Sequence, residues 1–242
     1  MCVSLTKTDE MLEKLRAFLE RGFPVTDEQF EFISTLFIPK KVKKGEFLLR
    51  EGEITRYSIF VASGCLRTYT IDDTGKEHIL QFSPENWWTG DITFKSDIPS
   101  RCFIEALEDS EVLLTELSSI QKLNKYIPES AAQYETALQK SMEAKNQRIL
   151  SSLSATAEER YNDFLQKYPS LLQRVPQHMI ASYLGISPET LSRIRKQQSH
   201  KRQLSCCQFL TGIRNIIFKM YLKMYLRNDL KYSSTLSNSS RG

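Results

Sequence analysis

The stretch QHMIASYLGISPETLSRI, Gln177–Ile194, places aliphatic side chains at Ile180, Leu184, Ile186, Leu191 and Ile194, with Ala181 and Gly185 among them. Two short helices crossing at a tight turn need this order of residues. A small side chain lets the crossing close, a glycine accepts positive φ at the turn, and the aliphatics fill the shared interior. Pro176 is placed for the first turn of the leading helix, while Ser187 can cap the second and Pro188 suits its first turn. The second helix, Pro188 to about Gln197, then turns Leu191 and Ile194 inward. Glu189, Thr190 and Arg193 fall on its outer face, in the N-terminal half that reaches base edges when such a helix lies in a DNA groove. Arg193 can donate two hydrogen bonds to a guanine, and Glu189 can accept one from a cytosine amino group. Arg195 and Lys196, followed by Lys201 and Arg202, suit phosphates, which position a protein without specifying sequence. Gln177, His178 and Ser182 on the first helix, with Ser187, are candidate backbone contacts. The competing reading is a plain helical corner with a solvated charged face. The combined spacing, the two helix-start signals and the basic flank favour the DNA-reading one.

Charge along the chain points the same way. Residues 155–242 hold 14 Lys/Arg against 5 Asp/Glu, whereas residues 1–154 hold 19 against 24. A basic C-terminal part on an acidic remainder is the electrostatic footprint of a nucleic-acid binder, although a basic surface also suits an anionic membrane. With 242 residues, 40% apolar and 26% charged, the chain has the composition of a soluble globular protein. The N-terminal MCVSLTKTDE lacks the basic and apolar regions of a secretory signal, and no run of 18 apolar residues exists, so a cytoplasmic location without a membrane span is expected. The five cysteines (Cys2, Cys65, Cys102, Cys206, Cys207) form no CxxC pair and face only three histidines in the whole chain. No disulfide framework and no metal site are expected. No G-x-S-x-G elbow, P-loop or H-E-x-x-H occurs, so no catalytic residue is assigned and the chain is not read as an enzyme.

Upstream of the motif the hydrophobic period changes twice. Met11, Leu12, Leu15, Phe18 and Leu19, then Phe30, Ile33 and Leu36, keep helical spacing on either side of the break RGFPVT. From Pro39 to about Leu117, short β-branched and aromatic runs alternate with Gly45, Gly52, Gly64, Gly75 and Gly90, which predicts a small antiparallel barrel or sandwich. Glu129–Leu153 contains no Gly or Pro and carries Tyr134, Leu138, Met142, Ile149 and Leu153 on about one stripe. That stripe suits either packing on the chain's own core or pairing of two such helices across a dimer axis. A further helix starts at a capping box, Thr156 to Glu159, and ends before Pro169.

Taken in order, these pieces resemble a transcription regulator of the Crp/Fnr family, over about residues 10–200. KKGEFLLREGE, YSIFVASGCLRTYTIDDTGKEHILQF and GDITF resemble the family's cyclic-nucleotide-binding β-roll, the long helix its dimer helix, and IASYLGISPETLSRIRK its winged helix-turn-helix. The resemblance implies an α+β fold: an N-terminal cyclic-nucleotide-binding-like β-roll (jelly-roll) at 1–127, a dimerisation helix at 128–154 and a winged helix-turn-helix domain at 155–202. It implies a homodimer reading a palindromic site on double-stranded DNA, with RNA polymerase as a candidate partner. Glu189 and Arg193 match the family's base-reading Glu and second Arg, and Pro188 stands where some members carry a first base-reading Arg. Cyclic-nucleotide binders pair Gly-Glu with Arg-Ser. Here the corresponding effector-pocket residues are Gly90-Asp91 and Ser100-Arg101, a shorter acid and a reversed pair. One residue of slip along a strand turns a side chain to the opposite face. Cyclic AMP is therefore not the expected effector, which stays unidentified, and no cofactor is assigned. The cysteine cluster of the iron–sulfur branch is absent, with Cys2 alone near the N-terminus.

Residues 203–242 depart from the family. Phe209, Ile213, Ile216, Ile217, Met220 and Met224 recur at helical spacing among basic residues. They suit a basic amphipathic helix for a membrane or partner, a helix packed on the protein, or sequence from a shifted reading frame. The functional alternative to DNA reading is a cyclic-nucleotide-type sensor whose basic C-terminus binds a membrane or protein.

Overall fold

The computed structural model describes residues 6–91 and 98–199. The expected wing and the basic tail therefore lie outside the described residues. Residues 1–188 make one compact unit, and residues 189–199 are the described part of a second.

The chain opens with α1 (Lys7–Leu19) and α2 (Asp27–Ser34). Both start on reciprocal capping boxes, Thr6 with Asp9 and Thr26 with Gln29. Met11, Leu15 and Leu19 fall on one face of α1 and are buried with Phe23, Ile33, Phe37 and Phe60. Trp88 packs into the same cluster, its ring 5.4 Å from Phe60 and 6.1 Å from Phe37, so one of the two tryptophans serves the core.

Eight strands follow among the described residues: β1 (Ile38–Val42), β2 (Phe47–Leu49), β3 (Tyr57–Ser63), β4 (Leu66–Ile71), β5 (Glu77–Ser83), β6 (Trp88–Thr89), β7 (Phe103–Ala106) and β8 (Ser110–Glu116). They form two antiparallel sheets, β1-β8-β3-β6 and β2-β7-β4-β5, which enclose Leu49, Ile59, Val61, Leu66, Ile104 and Val112. This is the expected β-roll. Gly64 makes its β3–β4 corner at φ +91°, where an added Cβ would sit 2.2 Å from Ser110 Oγ and 2.8 Å from Ser110 Cα. Gly64→Ala should therefore cost about 1–3 kcal/mol through overpacking and the left-handed backbone. A thermal melt unchanged from wild type would refute this.

Among the described residues, four α-helices and a 3-10 turn (Leu171–Gln173) then complete the first unit: α3 (Leu117–Tyr126), α4 (Pro128–Ser154), α5 (Ala157–Lys167) and α6 (Gln177–Leu184). At 27 residues α4 is roughly 40 Å long. α5 begins on the Thr156–Glu159 box and ends ahead of Pro169. Pro176 sits one position earlier than expected, at the N-cap of α6 with φ −56° and ψ 140°. Its carbonyl accepts from the amides of Met179 and Ile180. Proline's fixed φ serves this half-in position equally well, and no amide is lost from the helix.

Candidate nucleic-acid interface and effector cavity

α6 stops where the sequence provides for it. Gly185 takes the left-handed conformation, φ 66° and ψ 36°, and Ile186 N–H donates back to the Ala181 carbonyl at 3.0 Å. The chain re-enters helix at residues 188–199, labelled α7. In α6, Ile180, Ala181 and Leu184 are buried, while Gln177 and His178 are exposed. In α7, Leu191 and Ile194 are buried, Glu189, Arg193 and Lys196 are exposed, and Thr190 and Arg195 are half-buried. One terminal nitrogen of Arg195 is buried with no hydrogen-bond partner among the described residues. Ser187 lies exposed in the turn between the two helices.

Ser182 has a different environment. Its Oγ donates to the Glu77 carbonyl at 2.9 Å and accepts from the Ile79 amide at 3.1 Å. Both groups lie on β5, an edge strand of its sheet among the described residues. The reason lies in the strand register. A β-bulge between Thr68 and Tyr69 of β4 skips Leu80, so Phe82 pairs with Arg67 and Ile79 with Tyr69, on one face of the sheet. That face looks away from the second sheet, since the opposite one carries Thr68, whose hydroxyl meets Thr89 Oγ1 of β6 at 3.3 Å. An outer sheet face is ordinarily wet. Here Arg67, Tyr69, Ile79 and Phe82 are all buried. α5 and α6 cover Phe82, whose ring lies 5.5 Å from Tyr183 and 6.2 Å from both Phe164 and Tyr168, while Tyr69 stacks on Phe103 beneath Arg67. Trp87 adds its ring 5.3 Å from Tyr168. Burial raises the Tyr168 pKa and keeps its phenol neutral.

Two arginines brace this cover. Arg148 of α4 donates to the carbonyls of Leu80, Ile79 (2.8 Å) and Tyr183 (2.9 Å), and lies 4.1 Å over the Tyr183 ring. Burial lowers its pKa. Arg174, just before α6, holds Glu85 through two hydrogen bonds, 2.7 and 3.0 Å, and pairs with Glu108. Those hydrogen bonds, Glu108's first, raise the Arg174 pKa. Burial opposes ionisation of Glu85, but Arg174 and the Gly64 amide outweigh it and lower the Glu85 pKa. Neither arginine carries a signal in the sequence. Each is a lone basic residue whose partners are 35–89 positions away.

Of the effector-pocket residues, Ser100 and Gly90 border the stretch 52–58. Ser100 is buried, and its hydroxyl is used within its own turn, accepting from the Cys102 amide and donating to the Cys102 carbonyl. Its amide donates to the Glu53 carbonyl. Arg101 is exposed. Gly90 lies beside Ser58 and the Tyr57 carbonyl, with half-buried Asp91 next to it. The same stretch walls a cavity of about 420 Å³, lined by Leu49, Ile59 and Ile104 within and by Lys40, Glu53, Arg56 and Tyr57 at its polar side. Burial pushes the Cys65 thiol up to about 12 and Cys102 up to about 11, so neither is a poised nucleophile. Among the described residues no group of His, Cys, Asp and Glu could hold a metal ion, and no helix is long and apolar enough to cross a membrane.

Residues 39–125 match the family model of the cyclic nucleotide-binding domain. The chain is 25% identical over 205 residues to the transcriptional activator protein anr of Pseudomonas aeruginosa, covering 80% of this chain and 77% of that relative. It is 24% identical over 206 residues to the fumarate and nitrate reduction regulatory protein of Vibrio cholerae, covering 80% and 75%. Among solved structures, FixK2 from Bradyrhizobium japonicum superposes with a TM-score of 0.60 at 24% identity, over 68% of this chain and 85% of that one. A β-roll followed by a long helix and a helix-turn-helix is the architecture of a sensor-coupled regulator. Residues 39–125 are thus a cyclic nucleotide-binding-type domain, and the likenesses over 80% of the chain are to transcription regulators of the Crp/Fnr type.

Proposed function

We propose that the protein is a homodimer that reads a palindromic operator with α7 in the DNA major groove. Glu189, Thr190 and Arg193 face the bases, and Gln177, His178, Ser182, Ser187, Arg195 and Lys196 hold the backbone. The observation that carries this reading is the left-handed Gly185 joining α6 to α7, with Leu191 and Ile194 buried while Glu189 and Arg193 are exposed. Regulators of this family bind DNA and act as dimers, and α4 supplies an apolar stripe for that purpose. Regulation enters through the β-roll. Its cavity has the size of a small-molecule site, with Arg56, Glu53 and the Lys40–Glu46 pair at its polar side.

The experiment is an in-vitro selection on a random duplex library with purified protein and no added ligand. The expected product is a two-fold symmetric motif with half-sites roughly 10 bp apart. Recovery of no motif, with and without the C-terminal segment after Arg202, would sink the reading. On the recovered site, Arg193→Ala should cost about 1–3 kcal/mol and relax preference at one base pair per half-site. A uniform loss across all sequences would instead make Arg193 a phosphate contact.

A further inference from the structure

We propose that the packing of α6 on β5 is a closed state, in which the sensor roll withholds the first helix of the reading head from DNA, and that the Arg174–Glu85–Glu108 cluster keeps it closed. The proposal rests on the DNA-reading assignment above. β5 is an edge strand among the described residues, and its outward amides and carbonyls need partners. Ser182 and Arg148 provide them at Glu77, Ile79 and Leu80. A hydroxyl has a single proton, and that of Ser182 is spent on the Glu77 carbonyl. It cannot also donate to a DNA phosphate. Closure on the roll and this backbone contact exclude each other.

The ionic cluster has the position and the strength of a switch. Glu85 stands between β5 and β6 and Glu108 between β7 and β8, so both carboxylates belong to turns of the sensor roll. Arg174 stands at the foot of the reading head, three residues before α6. Displacement of either turn loosens the grip. Side-chain exposures of 24%, 37% and 35% for Arg174, Glu85 and Glu108 place the cluster at the surface, where ion pairs contribute modestly and salt weakens them. A tie of that strength can bias an equilibrium without freezing it.

The test uses the full chain with Glu85→Gln/Glu108→Gln, and Glu108→Gln alone as the milder companion. Neither position belongs to the DNA-reading elements. Two quantities are read on each protein: backbone hydrogen exchange in 77–81 and 177–184, and ligand-free affinity for the operator selected with wild type or variant. Expected are faster exchange in both segments and roughly 2- to 30-fold tighter binding, the span that two surface ion pairs can supply. Faster exchange with unchanged or weaker DNA binding overturns the proposal, and so does unchanged exchange. If exchange quickens but no protein selects any duplex, the DNA-reading assignment falls, and the gating falls with it.

Discussion

Met142→Glu/Ile149→Glu should turn a dimer into a monomer and lower operator affinity by roughly 10²–10⁴-fold, the loss expected when two linked heads become independent. Met142 and Ile149 lie one heptad apart on α4, with Leu138 four residues before and Leu153 four residues after. Within one chain they are bare: Met142 is 64% exposed, Ile149 58% and Leu153 81%. Apolar side chains at this spacing on a helix of this length suit the seam of a two-helix coil, each contributing about 1.5–3 kcal/mol when buried. Two glutamates per helix would place four carboxylates in the seam, and their desolvation outweighs what the remaining Leu138 and Leu153 supply. Because both positions are exposed in the single chain, the helix and the β-roll should persist, with unchanged far-UV circular dichroism. Sedimentation at micromolar concentration decides the matter. A variant that stays dimeric removes α4 as the dimer seam, and a monomer with undiminished affinity removes the two-headed reading.

Which features the sequence discloses depends on the range of the physics behind them. Gly185 is legible because one residue's φ decides it, and the Thr156–Glu159 box because both partners lie three positions apart. The β-roll is legible through alternating runs and glycine corners such as Gly64. The bare stripe of α4 is legible as spacing, but its exposure is a property of the folded chain. Cover of the outer sheet face is not legible. It requires the bulge that skips Leu80, which brings Ile79 and Phe82 to the same side, and α5–α6 returning to that side from about 80 residues downstream. Ser182 reads in sequence as a phosphate contact because it lies on the first helix of the motif. Its bonds to β5 depend on an edge strand 103–105 positions away. Arg148 and Arg174 are invisible for the same reason.

Phe82→Ala tests that long-range cover directly. The ring is fully buried and lies edge-on to Phe164 and Tyr168, tilted against Tyr183. Truncating a buried phenylalanine costs about 3–5 kcal/mol, from lost transfer energy and the cavity left behind. The cost should fall on the docked helices rather than on the roll. The roll keeps its own enclosed core, Leu66, Ile104 and Val112 among it, on the other face of the sheet. The surface ion pairs of Arg174 cannot offset a loss of this size. Hydrogen exchange of 177–184 should therefore quicken by orders of magnitude, while amides of β3 and β8 keep their protection. Tyr183→Ala, at the opposite side of the contact, should repeat the pattern less strongly, because Tyr183 is only half-buried. Uniform loss of protection across both sheets would mean that Phe82 supports the β-roll itself. Unchanged exchange in 177–184 would mean that the aromatic cluster does not hold α6 on β5.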